Sequence, residues 1–308
     1  MGVKCCRPSG AFNPESKKIL QLSNAQQDEP SLGTPLLIVD IEEERIFTTK
    51  VSLRIVQSIK GMSQLNIDNT LYLCGSENDS SLGAYMINID NTKSTNSEVK
   101  FLVNAQYSHV NPSMIHIPSN SILVVGGKKQ IKCEQFDIAN SKWKYIPELP
   151  EERCKCNLFI DSNKKYVYLF GGFCAALGRN CSDVLRMRLE TLMIWERISL
   201  KEGAELLART SCGIIRDKEE KKSKVVYILG GKDNQSELCD SIVEFDMKKR
   251  TARTIKSKLK YKAKFINQNG VDVDKNTYVI IDKKGNIHTM NFNDFALYSE
   301  EETQNGLA

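Results

Sequence analysis

Few side chains in this chain could do chemistry, and they are scattered. The histidines are His109, His116 and His288. His116 and His288 fall inside separate predicted strands far apart in sequence, so convergence of all three on one metal ion is not expected. Ten cysteines include the close pair Cys154-Lys-Cys156 and the spaced pair Cys174 and Cys181. No second close pair lies at zinc-finger spacing. They are read as reduced thiols, most of them small buried hydrophobes in strands. There is no Gly-x-Ser-x-Gly elbow, phosphate loop, Ser-x-Asp-x-Gly-x-Thr-Trp box or paired catalytic carboxylate. The chain is therefore expected to be non-catalytic and to need no cofactor. The densest chemical feature is Lys256–Lys264, where five lysines alternate with Ser257, Leu259, Tyr261 and Ala263. Extended, such a segment turns every ammonium to one side. Two readings stand: a docking strip for acidic protein, phosphate or anionic lipid that includes Lys258, Lys260 and Lys262, or a solvated edge.

At the N-terminus, Met1-Gly-Val-Lys-Cys-Cys6 offers Gly2 for myristate and Cys5 and Cys6 for palmitate. One acyl chain binds a membrane marginally and two anchor it. Cys6 departs from the Ser or Thr of the usual myristoylation pattern, and an unmodified tail is the other reading. Residues 1–32 are polar and expected to be disordered, 33–303 form the folded domain, and 304–308 are a second tail. No apolar run approaches the ~20 residues of a membrane span. The expected location is the cytoplasm, with membrane association only through acylation. A net charge of +5, from 43 basic and 38 acidic residues, gives no case for nucleic-acid binding without a concentrated patch or reading motif.

The elements that carry these residues recur. A short run apolar at nearly every position appears as Leu71-Tyr-Leu-Cys-Gly75, Ile122-Leu-Val-Val-Gly-Gly127 and Tyr166-Val-Tyr-Leu-Phe-Gly-Gly172. It returns as Val225-Val-Tyr-Ile-Leu-Gly-Gly231 and Thr277-Tyr-Val-Ile-Ile-Asp282. Such a run is a strand buried on both faces, and the glycines permit a positive φ and close backbone approach where it ends. A second strand follows each, as in Tyr85–Asp90, Cys133–Ile138, Val184–Leu189, Ile242–Met247 and Ile287–Phe292. Most carry an Asp beside an apolar residue and run into a polar turn. Trp143 and Trp195 come next in two copies. Leu36-Leu-Ile-Val-Asp-Ile41 is a sixth copy of this second strand.

A Gly-Gly strand, an aromatic-Asp strand, a polar turn and a tryptophan resemble the kelch-repeat family. The first glycines of the pairs stand 45 and 59 residues apart, against about 50 per kelch blade. Leu149-Pro-Glu-Glu-Arg153 and Leu206-Leu-Ala-Arg209 resemble that family's mark before a blade's first strand. The resemblance spans residues 33–303 and is close in the three middle repeats. It implies an all-β, kelch-type β-propeller of six four-stranded blades, the seam blade either completed by degenerate strands within residues 11–32 or left incomplete. It also implies ligand contacts through loops on one face, including Lys128–Lys132, Lys232–Cys239 with Asn234, Lys283–Asn286 and Lys256–Lys264. Arg153 and Arg209 match positions from which the family directs a guanidinium to the channel mouth, where it can grip a carboxylate. An arginine tying adjacent blades is the other reading. The expected function is a monomeric scaffold or adaptor for a protein or peptide, of acidic character. The alternative is a small-molecule enzyme of the oxidase or sugar-isomerase type found among kelch propellers.

Overall fold

The computed structural model is all-β and describes residues 18–22, 34–40, 45–52, 59–76, 82–88, 97–216, 225–272, 277–284 and 286–291. Among them the one helical segment is a 3-10 turn, Ala204–Leu207, and no helix is long and apolar enough to cross a membrane.

The first sheet has seven strands in two antiparallel halves. One half holds β1 (Lys18–Leu22), β2 (Thr34–Asp40) and β3 (Arg45–Ser52). The other holds β4 (Met62–Ile67), β5 (Thr70–Gly75), β6 (Ala84–Asn88) and β7 (Ser97–Phe101). A short parallel pairing of Val51 and Ser52 with Ser97 and Glu98 joins them. The second sheet is the antiparallel meander β8 (Ser113–Ile117), β9 (Ser121–Gly127), β10 (Gln130–Asp137) and β11 (Lys142–Ile146). The third begins with β12 (Asn157–Ile160) and β13 (Tyr166–Phe170). A separate small hairpin, β14 (Phe173–Cys174) and β15 (Arg179–Asn180), precedes its remaining strands, β16 (Val184–Arg188) and β17 (Glu196–Ile198). The fourth sheet is β18 (Gly213–Arg216), β19 (Val225–Leu229), β20 (Ser241–Asp246) and β21 (Thr251–Lys258). The fifth is β22 (Phe265–Asp272), β23 (Thr277–Asp282) and β24 (Ile287–Asn291).

The runs apolar at every position are β5, β9, β13, β19 and β23, each the second strand of its four- or three-stranded unit. Their composition follows from where the cores lie, which is between sheets. Val167 and Leu169 of β13 pack with Leu123 and Val125 of the second sheet, while Tyr168 and Phe170 pack with Val226 and Ile228 of the fourth. Side chains alternate across a strand, so a strand between two cores must be apolar on both faces. The tryptophans lock the same interfaces. Trp143 Nε1 donates to the Val103 carbonyl at 2.8 Å and Trp195 Nε1 to the Pro147 carbonyl at 3.2 Å, each reaching back past the preceding sheet's last strand.

Within residues 1–32, expected as a tail, the structure forms β1. It pairs with β2 from Lys18↔Asp40 to Leu22↔Leu36. Its end is deeply buried: Gln21 is 3% exposed and Leu22 fully enclosed. Gln64 of β4 exchanges two hydrogen bonds with the Leu22 backbone, at 2.9 and 3.3 Å. Gln21 Nε2 donates to the Asp282 carbonyl at 2.8 Å, so β1 ties the first sheet to the fifth. β1 also lies beside β22, β4 beside β8, β8 beside β12, and β18 beside β22.

Candidate functional site

Where the first strands of the sheets converge, their leading residues form a chain of backbone hydrogen bonds. Asn111 N–H donates to Gly61 O at 2.7 Å, Lys155 to Asn111 O at 3.0 Å, Ser211 to Lys155 O at 3.2 Å and Phe265 to Ser211 O at 2.8 Å. Gly61, Asn111, Lys155 and Ser211 all have positive φ, between 53° and 74°. For the three non-glycines this is a sparsely populated conformation, which persists only where surroundings over-determine it. Side chains reinforce the same links: Ser63 Oγ donates to Pro112 O, Ser113 Oγ to Cys156 O at 2.8 Å, and Asn157 Nδ2 to Arg209 O at 3.1 Å.

The glycine pairs dock one layer outward. Gly127 N–H donates to Arg153 O at 3.0 Å, Gly172 to Arg209 O at 3.0 Å and Gly231 to Ala263 O at 2.8 Å. A Cβ on Gly126, at φ +62°, would stand 2.5 Å from that same Arg153 oxygen, which explains the residue type. In the first sheet Ser76 N–H makes the equivalent bond to His109 O at 2.9 Å. The equivalent pair there is thus Gly75-Ser76. In the fifth sheet the register gives Ile281-Asp282, because Lys283 bonds Lys264 O as Lys128 bonds Val110 O and Lys232 bonds Thr210 O. His109, Arg153, Arg209 and Ala263 therefore occupy one structural position in successive sheets.

Arg153, read either as reaching a channel mouth or as tying neighbouring sheets, is 0% exposed. Its Nη2 donates to Glu151 at 2.8 Å and Asp183 at 3.1 Å, and its Nη1 faces Gly171 O at 3.5 Å. Arg197 binds the same two carboxylates, at 3.0 and 3.3 Å. Arg153 therefore has no exposed atom to offer a partner. The Glu151, Cys181 and Asp183 group, whose ligand atoms lie within 4.8 Å of one another, is filled by these guanidiniums. Burial also pushes the Cys181 thiol up to about 11, which opposes metal ligation. Arg209 is 8% exposed and donates from Nη1 to Gly230 O at 3.1 Å. It has no ion pair among the described residues. His109 has Gly126 O at 2.7 Å from one ring nitrogen and Glu134 Oε2 at 3.0 Å from the other. His116 belongs to β8 and His288 to β24, so the histidines lie in different sheets.

The lysine strip is not one extended face. β21 carries Lys256 and Lys258, and the chain then bends at Lys260 and Tyr261. Leu259 and Ala263 keep to the inner side, 5% and 2% exposed, but Tyr261 turns out among the lysines at 51%, which breaks the alternation. Lys258, Lys260 and Lys262 are exposed. Asn234 is exposed too, its Oδ1 accepting from Asn180 N–H at 2.9 Å. Gly2, Cys5 and Cys6 lie outside the described residues.

A lysine cluster does form elsewhere. A cavity of about 70 Å³ sits among the first strands, bordered by Asn111, Lys155, Ser211 and Lys283 above Gln64 and Ser113. Lys264 adjoins it through its backbone bond to Lys283. Partial burial and then the charges of Lys232, Lys155 and Lys284 hold Lys264 below the ordinary lysine range. Lys283 is solvent-touching over its length, yet its ammonium is desolvated enough that burial, then Lys264 and Lys155, lower it as well. None of Lys155, Lys264 and Lys283 is ion-paired among the described residues. The sequence signal for this cluster is a lysine directly after the pair in three copies, Lys128, Lys232 and Lys283.

No family model matches the chain, and no curated protein matches it. The kelch resemblance rests on the repeat itself.

Proposed function

We propose that the chain is a six-bladed kelch-type β-propeller that acts as a non-catalytic interaction module, binding an acidic segment of a protein partner on its lysine-rich face. The observation that carries this reading is the set of unpaired lysines around the cavity where the first strands meet. The turn lysines Lys128, Lys232 and Lys283 bond the residues entering β8, β18 and β22, so turns and entering loops share one end of the sheets. Exposed Lys260 and Lys262 enter at the same end. Like charges without counter-ions repel one another, and an acidic partner relieves that repulsion and gains steering at long range. Support for six blades comes from β1 and its bonds to both β4 and the end of β23, which bring the N-terminal three-stranded half against the C-terminal sheet. Such an arrangement leaves fewer bare sheet edges.

The test is affinity purification of natively expressed protein beside a Lys260→Glu/Lys262→Glu variant of unchanged melting temperature. Selective loss of partners from the variant is expected, with the losses steepest at low salt. An identical partner set would refute docking on this face.

A further inference from the structure

We infer that the cavity bordered by Lys155 and Lys283 is a phosphate site, taking one phosphomonoester or free phosphate rather than a carboxylate side chain. The inference rests on the interaction reading in one respect only, that this end of the sheets faces the ligand.

Size comes first. At about 70 Å³, against about 10–15 Å³ of such space per water, the hole admits a few waters or one small tetrahedral anion. It does not admit a folded peptide segment. The donors come next. Lys155 and Lys283 border the hole from the third and fifth sheets, and Lys264 is bonded to Lys283 through the backbone. Between them stand the Asn111 amide and the Ser211 hydroxyl, which make no hydrogen bond of their own among the described residues. Residues with ammonium, amide and hydroxyl donors that border one cavity from separate elements suit an anion with several oxygens. A carboxylate offers two oxygens in one plane, whereas a phosphate offers three or four around a sphere and carries close to two charges at pH 7.

Rigidity completes the case. Asn111, Lys155 and Ser211 share a left-handed backbone conformation and are hydrogen-bonded in series. The backbone that carries their donors is therefore fixed before any ligand arrives, which lowers the cost of binding. The crowding of Lys264 and Lys283 by neighbouring cations supports the same view, since a doubly charged anion relieves it.

The test uses the full chain and calorimetric titration with inorganic phosphate, with acetate at equal ionic strength as the control. One saturable site is expected, with acetate binding at least tenfold weaker. Lys155→Met/Lys283→Met should weaken phosphate at least tenfold. Lys155→Arg/Lys283→Arg should restore most of it, which separates lost charge from lost folding. Absence of saturable phosphate binding, equal binding of acetate, or an unchanged Met variant would overturn the assignment. Titration with the peptide Ala-Glu-pSer-Glu-Ala and its serine counterpart distinguishes the sources. A phosphopeptide tenfold tighter than free phosphate points to a phosphorylated side chain, and phosphate binding with no such gain points to the free anion. Partner capture that depends on Lys260 and Lys262 is read separately, so either conclusion can fail alone.

Discussion

Raising the pH above 9 is expected to unfold this protein through its buried thiols. Burial pushes Cys74, Cys133, Cys156 and Cys212 up to about 12, from an ordinary thiol value of 9.0. Below pH 9 the folded and unfolded chains both keep these protons, and the stabilising contribution is fully present. Between 9 and 12 the unfolded chain releases protons that the folded chain retains. Each thiol then withdraws about 1.4 kcal/mol of stability per pH unit. By pH 10 the four together remove about 5–6 kcal/mol, comparable with the whole stability of an ordinary domain, about 5–15 kcal/mol. Lys264 and Lys283 act the other way. Their folded values lie below 10.5, so their penalty is full at neutral pH and fades as pH rises to 10.5. Two partly exposed lysines do not offset four enclosed thiols. Urea unfolding followed by tryptophan fluorescence at pH 7.5, 9 and 10, under reducing conditions, measures the slope. Cys74→Ala/Cys212→Ala, although less stable at pH 7.5, should lose about 3 kcal/mol less than the wild type between pH 7.5 and 10. Equal losses in the wild type and this variant would refute the assignment to thiols.

Two further outcomes follow from the packing. Arg153→Met is expected to cost about 1–3 kcal/mol, because Arg197 still matches Glu151 and Asp183. Glu151→Gln/Asp183→Asn strands a buried guanidinium and should cost about 3–5 kcal/mol, and chemical denaturation that ranks the two variants oppositely would count against the tie. Gly126→Ala meets both a left-handed φ and the Arg153 carbonyl, for about 2–5 kcal/mol. Gly178→Ala shares the φ, +64°, but has nothing within 4 Å, so its cost should be only about 1–2 kcal/mol. Thermal melts that place the two alanines together would remove close approach as the reason for the glycine.

Much of the fold was legible because its cores lie between sheets. A strand such as Tyr166–Phe170 must then be apolar at every position, a pattern stronger than simple alternation. β1 was hidden for the opposite reason. Its Lys18-Ile-Leu-Gln-Leu22 run is short and broken by Gln21, whose polarity is needed because its amide bonds the Asp282 carbonyl. Arg153 could be placed from Leu149-Pro-Glu-Glu-Arg153, but its direction could not. That is set by Asp183, which is brought beside it only when β16 pairs with β13. The lysine strip is interrupted at Lys260 and Tyr261, where the chain bends and Tyr261 turns outward among the lysines. The cavity lysines were individually visible, yet Lys155, Lys264 and Lys283 become a group only through bonds between sheets.

The repeat also shows where a binding surface can arise. At one structural position, His109 is matched by Glu134 and Arg153 by Asp183 and Glu151. Arg209 keeps its bond to the glycine carbonyl but has no carboxylate among the described residues. In the fifth sheet the position is Ala263, and the cations stand on either side of it as Lys262 and Lys264. The side chain at this position thus meets a carboxylate in the second and third sheets, whereas the cations at or beside it in the fourth and fifth have none among the described residues. Matched pairs hold neighbouring sheets together and are closed to ligands. Unmatched cations destabilise the free protein slightly and can be satisfied only from outside. In a fold built from repeated units, the copies that lack such carboxylates are where an anion could be received, and here they lie on the side where Lys232, Lys264 and Lys283 gather.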